Sequence, residues 1–191
     1  MSRHTTQRLA FALLTLAAIV TTAPIVLIVG YIAATGLPAV SWEFLTTMPR
    51  DGMRAGGIWP AIVGTGLLTA GTGLVAVPLG IAAAIYLAEY AKDTTLTRAI
   101  RIAIINLAGI PSVVYGLFGL GLFVLFLNFG TSILAGCLTL AIMTLPVIIS
   151  TAEEALRAVP QSFRVVSISL GGTKWQTIRR VVLPQALSRI L

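Results

Sequence analysis

"GGIWPAIVGTGLLTAGTGLVAVPLGIAAAIYLA", residues 56–88, contains no Asp, Glu, Lys, Arg or His. About 20 helical residues cross the roughly 30 Å hydrocarbon core of a bilayer, so a run of this length crosses once with residues to spare. The surplus falls at its start, where "GGIWPAIVG" is expected to be interfacial, with Trp59 as an anchor, before the true span begins. Further in, Gly64, Gly66, Ala70, Gly71, Gly73 and Ala76 offer surfaces on which other helices can approach closely, Gly66 and Ala70 forming one small-x-x-x-small pair.

Three more charge-free runs flank it: Leu9–Ala34, Ile102–Asn128 and Thr131–Ala152. Each is long enough to cross once and none is long enough to cross twice. Hydrophobic residues make up 57% of the chain and charged residues only 10%, against about 25% charged in soluble domains. Strands of alternating polarity are absent, so helices must satisfy the backbone in lipid. The expected fold is an all-α, polytopic transmembrane bundle. Arg3 and Arg8 precede the first run as in a signal peptide, but its apolar core exceeds the usual 7–15 residues or so. It is expected to stay as a membrane helix.

Lysine and arginine orient the spans. The N-terminal tail carries Arg3 and Arg8, the second connection Lys92, Arg98 and Arg101, and the C-terminal segment Arg157, Arg164, Lys174, Arg179, Arg180 and Arg189, together eleven of the 13. Only Arg50 and Arg54 remain, beside Glu43 and Asp51 in the first connection. By the positive-inside rule the N-terminus and the segment after the fourth run are cytoplasmic. The net charge of +7 thus reads as a topology signal, not as a nucleic-acid surface.

The runs also exclude chemistry. They hold no ionisable side chain of the kind proton-driven carriers place in the membrane, and the sequence has no G-x-x-x-x-G-K-[ST] phosphate loop. Energy for any uphill transport must come from a partner. The lone Cys137 and lone His4 cannot assemble a metal site, and no cofactor is expected.

Two places should interrupt the helices. "NLAGIPSVVYG" puts Gly109 and Pro111 near the middle of the third span, where proline removes a hydrogen bond and kinks the helix. Broken helices line transport paths, which makes Ser112 and Tyr115 candidate path residues. Thr144 and Pro146 in "TLPVIIST" repeat the signal in the fourth run.

The longest polar stretch is "TAEEALRAVPQSFRVVSISLGGTKWQTIRRVVLP", residues 151–184. The fourth helix leaves the membrane with Glu153, Glu154 and Arg157 at its wet end, and Pro160 disrupts it. A second helix follows, ended by Gly171 and Gly172, of which Gly171 is expected to need positive φ and Gly172 to tolerate alanine. Thr173 and Gln176 form a T-x-x-Q capping box for a third helix, with Trp175, Ile178, Val181 and Val182 on one side and Pro184 limiting it. A basic amphipathic helix alone fits membrane lipid headgroups. The glycine elbow adds a bend that a lipid anchor does not need, and points to docking on a cytoplasmic partner.

Gly171, nine intervening residues, then Val181, Leu183 and Pro184 resemble the EAA loop of ABC-importer permeases, in which E-A-A-x-x-x-G precedes I-x-L-P by nine residues. The resemblance covers about residues 56–188, through "NLAGIPSVVYGLFGLGLFV", "LTLAIMTLPVIISTAEEALRAVPQSFR" and "LGGTKWQTIRRVVLPQAL" as well as the opening run, and these blocks are similar to the PstA family of phosphate permeases. It implies a type I (MetI-like) importer fold. Residues 1–55 would form an N-terminal helix and external loop, and 56–191 the permease core with its coupling loop at about 153–184. It further implies a noncatalytic, multi-pass subunit of the plasma (inner) membrane, working with a PstC-type permease, a cytoplasmic ABC ATPase dimer that hydrolyses ATP, and an extracytoplasmic phosphate-binding protein. Carried onto this sequence, the ATPase-coupling residues are Arg164, Ser167, Leu170, Gly171, Gly172, Thr173, Lys174, Trp175, Leu183 and Pro184. Ser112, Tyr115 and Thr144 are the path candidates.

Two departures qualify the match. Val165, Val166 and Ser167 stand at the E-A-A positions, so the acidic docking residue is missing. The family has two further membrane helices after this loop, whereas the chain ends at Leu191, so the fold is expected to be incomplete at the C-terminus. A permease for another oxyanion, or a transport-inactive fragment with a regulatory role, are the alternatives. The topology is tested by single cysteines read with an impermeant thiol reagent. Thr173→Cys should react only from the cytosol and Thr46→Cys only from outside, whereas external labelling of Thr173→Cys would invert the orientation.

Overall fold

Helix follows helix along this chain, with one short hairpin between them. The computed structural model describes the backbone of residues 3–190 and the side chains of residues 7–186. Ser2, Leu191 and the side chains of Arg3, His4 and Arg189 lie outside the described residues. Two compact units divide the chain, Met1–Val63 and Gly64–Leu191.

In the first unit α1 (Arg3–Gly36) continues through Pro24. Ser41 then caps α2 (Trp42–Thr46), its Oγ accepting from Phe44 N at 3.1 Å. Strands β1 (Pro49–Arg50) and β2 (Ala55–Gly56) pair antiparallel, Pro49 opposite Gly56. Gly57 follows where a Cβ would lie 2.7 Å from the Thr47 carbonyl oxygen, so only glycine fits the approach of the two backbones.

Helix α3 (Trp59–Ile85) starts at Trp59 and is continued by a π turn, Tyr86–Tyr90. The expected interfacial stretch is therefore mostly helical: Pro60 sits in the first turn, where its missing N–H costs nothing. Contact with α6 (Ile133–Arg157) is made through glycine, but not at the expected Gly66, around which a Cβ would meet nothing within 4 Å. Gly71 lies against Cys137, whose Sγ would be 2.5 Å from an added Cβ, and Gly80 lies against Ile148 at the same 2.5 Å. Cys137 is buried, its Sγ directed at the Leu67 and Leu68 carbonyls at 3.8 and 3.7 Å.

The third run corrects the expectation of one kinked span. It forms α4 (Thr95–Ala108) and α5 (Ser112–Gly119), the latter continued by a π turn at Leu120–Phe126, and the two directions differ by 96°. Ile110 precedes proline and is disfavoured from helix, and Pro111 (φ −58, ψ 138) has no N–H to continue it, so the chain turns a corner. Tyr115 makes the corner rigid: its hydroxyl donates to the Leu107 carbonyl at 2.9 Å, satisfying an acceptor at the end of α4.

Helix α6 corrects a second expectation, because it runs unbroken through Pro146. Pro146 is buried, and the loss of one ladder bond is absorbed within a helix held on several sides. α4, α5, both preceding π turns and the C-terminal helix all pack on it. Three helices, spanning Gln7–Ala39, Trp59–Tyr90 and Ile133–Arg157, are long and apolar enough to cross a membrane, and the bent pair would make a fourth.

After α6 come α7 (Gln161–Ser169), α8 (Lys174–Thr177), a π turn at Ile178–Val182 and α9 (Leu183–Ile190). Pro184, expected from sequence to limit the helix begun by the Thr173 box, does not do so: it lies inside α9. The π turn widens the coil just ahead of the proline ring and makes room for it against the preceding carbonyls. The principal core lies here, where Ala84 and Ile85 of α3, Ala152, Ala155 and Leu156 of α6, and Ile178, Val182 and Ala186 close on one another. Leu156, Ile178 and Val182 are the largest fully buried side chains. The expected single apolar side of the third helix is thus divided: Ile178 and Val182 point inward while Trp175 is 53% exposed.

Candidate functional site

The elbow is built by its backbone. α7 ends in a paired-bond glycine cap, with Gly172 N donating to Ser167 O at 3.1 Å and Gly171 N to Ile168 O at 2.9 Å. Gly171 takes φ +82, the left-handed region where a side chain is strained. Gly172 does not, yet alanine is not tolerated there as expected: an added Cβ would stand 2.8 Å from Ser167 O, the acceptor of its own bond. Thr173 starts α8 with a complete capping box, Thr173 Oγ1 accepting from Gln176 N at 3.2 Å and Gln176 Oε1 from Thr173 N at 2.9 Å. The hydroxyls of Ser167 and Thr177, 2.8 Å apart, tie the two arms together.

Charge then fastens the elbow to the helices beside it. Glu89, in the π turn after α3, accepts from Arg164 Nε at 3.0 Å and Nη2 at 2.7 Å. The side chains are only 9% and 12% exposed. The same guanidinium donates to the Leu156 and Val159 carbonyls at 2.8 and 2.7 Å, filling acceptors left by the end of α6. Lys174 lies over the Tyr90 ring with Nζ 4.7 Å from its centre. Glu153, expected at the wet end, is instead buried: it accepts from Arg101 Nε at 2.8 Å and from Arg157 Nε at 3.0 Å, while Arg101 Nη2 donates to Leu87 O at 2.9 Å.

The residues singled out at the elbow therefore divide by environment. Arg164 and Ser167 face neighbouring helices, Gly171, Gly172 and Thr173 set the bend, and Leu183 packs on the core. Leu170 (84% exposed) and Trp175 are outward, as are Phe163, Val165 and Val166; Pro184 and Lys174 are also exposed. Between the arms a groove of about 510 Å³ is lined by Phe163, Val166, Leu170, Gln176 and Arg180, among others. Glu89 and Glu153 were not legible as partners of these arginines, since Arg164 and Glu89 lie 75 residues apart and only folding brings them together.

Ser112, Tyr115 and Thr144 meet elsewhere, around one cavity of about 750 Å³ between α3, α5 and α6. Tyr115 forms a buried wall, and Thr144 Oγ1 donates to Leu140 O at 2.9 Å. Thr65, Thr69 and Thr72 of α3 line the same cavity. They went unread because threonine in an apolar run is compatible with ordinary helix packing.

With this geometry in place, comparison with known proteins is informative. The model of a family described as binding-protein-dependent transport system inner membrane component matches residues 76–191. The "Probable ABC transporter permease protein YqgI" of Bacillus subtilis (strain 168) is 34% identical over 100% of this chain and 65% of its own length. The phosphate transport system permease protein PstA 1 of Mycobacterium tuberculosis (strain CDC 1551 / Oshkosh) is 42% identical over 72% of this chain and 45% of its own. PstA of Yersinia pestis is 36% identical over 82% of this chain and 53% of its own. The chain thus spans about half to two thirds of the length of these relatives.

The buried ion pair yields a double-mutant test. Arg164→Met or Glu89→Met alone leaves an unpaired charge and should lower stability by about 3–5 kcal/mol, while the double change should recover most of the loss. Unfolding in mixed detergent micelles measures this. Single variants as stable as the parent would show that the pair is solvated in the membrane-bound chain.

Proposed function

The chain belongs to the family of binding-protein-dependent transport system inner membrane components, and from that premise we propose that it is a membrane-spanning permease subunit of an ATP-driven phosphate importer. It is a multi-pass membrane protein, and residues 56–191 are read as its permease core. The partners in this reading are a second, PstC-type permease, a cytoplasmic ABC ATPase dimer that hydrolyses ATP, and an extracytoplasmic binding protein that delivers phosphate. The substrate is taken from relatives named as phosphate transport permeases.

The observation that carries the reading is the elbow. Its outward apolar residues, Phe163, Val166, Leu170 and Trp175, stand on a short helix pair whose bend is set by a glycine in the left-handed region. An exposed apolar surface on a fixed backbone suits docking into a cleft of a water-soluble partner. The arginine and lysine distribution supports a cytoplasmic position for it, where an ATPase would be met. Force applied there would pass through Arg164 and Glu89 to the end of α3. Where the family presents an acid, Val165 and Val166 are each 58% exposed, so docking here relies on apolar contact.

Gly171→Val tests this directly, since valine cannot adopt φ +82 without strain. Co-purification of the cognate ATPase should fall about tenfold or more, the equivalent of about 1.4 kcal/mol of interface energy, with membrane insertion unchanged. The parent chain assembled with all its partners should take up phosphate only with ATP, and the chain alone should take up none. Undiminished ATPase binding by Gly171→Val would remove the elbow from the coupling role.

A further inference from the structure

The π turn Tyr86–Tyr90 at the end of α3 is held by arginine from two sides. Arg164 of α7 reaches it from the elbow through Glu89. Arg101 reaches it from α4: its Nη2 donates to Leu87 O at 2.9 Å and its Nε to Glu153 Oε1 of α6 at 2.8 Å, while Nη1 lies 3.7 Å from Asp93 Oδ1. The last backbone bond of the turn runs from Ala91 N to Tyr86 O, which leaves the Leu87 carbonyl to Arg101. The Arg101 and Glu153 side chains are 23% and 12% exposed, so this fork is largely shielded from water. One short turn thus joins the elbow on one side to α4 on the other.

α4 has little else to fix it. It rests on α6, yet of its 14 residues only Thr97 is buried, and Leu96, Ile102 and Ile105 are more than half exposed. In lipid an apolar face gains nothing from being covered, so hydrogen bonds and close packing decide where such a helix sits. Its far end is fixed by a second bond, from the Tyr115 hydroxyl across the Pro111 corner to Leu107 O at 2.9 Å. Arg101 and Leu107 stand about 9 Å apart along one helix at 1.5 Å per residue, a length over which α4 moves as a rigid body. Just beyond it Ala108 and Ile110, with Ser112 and Tyr115, wall one side of the cavity of about 750 Å³. The place of that wall follows from where Arg101 holds α4.

We propose that Arg101 is a positioning residue for transport. It makes α4 follow the Tyr86–Tyr90 turn, so that a displacement of the elbow, arriving through Arg164 and Glu89, shifts the Gly109–Pro111 corner and with it the cavity wall. This rests on the permease reading above and assigns Arg101 no contact with the substrate. Phosphate uptake and ATP hydrolysis are measured together in proteoliposomes holding the chain assembled with its partners. Arg101→Gln leaves Glu153 paired with Arg157, and should lower the phosphate taken up per ATP hydrolysed about tenfold, within the usual range of coupling between sites, while hydrolysis continues. Changing Arg101→Met together with Glu153→Met removes both partners of the pair, which spares folding the cost of a lone buried charge. The ratio should stay equally low in that variant, because nothing then reaches Leu87 O.

A ratio equal to the parent's in either variant, with uptake and hydrolysis unchanged or falling together, overturns the role of Arg101 and leaves the permease reading standing. Failure of both variants to assemble assigns Arg101 to folding alone and overturns it likewise. A parent complex that takes up no phosphate with ATP overturns the permease reading and this role with it.

Discussion

The pairing of Arg164 with Glu89, two guanidinium N–H groups donating to one carboxylate oxygen, is the constraint on which the rest of the second unit depends. One guanidinium, with donors in a rigid fork, spans three elements: it grips a carboxylate at the end of α3 and fills the Leu156 and Val159 carbonyls left open where α6 stops. It does this from the first turns of α7. At 12% and 9% exposure the two side chains are largely removed from water, so neither charge can be left alone without a large desolvation cost. Glu153 repeats the device one turn before the end of α6, where Arg101 of α4 and Arg157 converge on a single carboxylate oxygen.

From this follows how the elbow relates to the membrane helices. The bend itself is local, made by Gly171, Gly172 and the Thr173 capping box. Its attachment is not local, since Arg164 on Glu89 and Lys174 over Tyr90 hold it to the end of α3. Displacing the elbow must therefore move the ends of α3 and α6 or break buried charge pairs. Those two helices also carry Thr72 and Thr144, and the cavity lies between them.

Much of this was legible in residue order. Charge-free runs locate membrane helices because lipid leaves the backbone no other partner. The glycine cap and the T-x-x-Q box are local chemistry, and the structure contains both where the sequence has them. Proline was the poorest guide. Pro111 turns a corner of 96°, Pro146 leaves α6 continuous, and Pro184 is absorbed by a π turn, because surrounding contacts decide whether a lost hydrogen bond breaks a helix. The burial of Glu153 was equally invisible, since its partner Arg101 is 52 residues away. So was the Gly172 constraint, which arises from the Ser167 carbonyl folding back beneath it.

Whether the elbow and the helix ends move as one body is read most directly by pulsed electron-spin distance measurement. Labels at Leu170 and Leu96, 84% and 71% exposed, place one probe on the elbow and one on α4. A narrow, single-peaked distance distribution that broadens on Glu89→Gln is the expected result. A distribution already broad in the parent, or one that Glu89→Gln leaves unchanged, would contradict the role of the buried ion pair in holding the elbow.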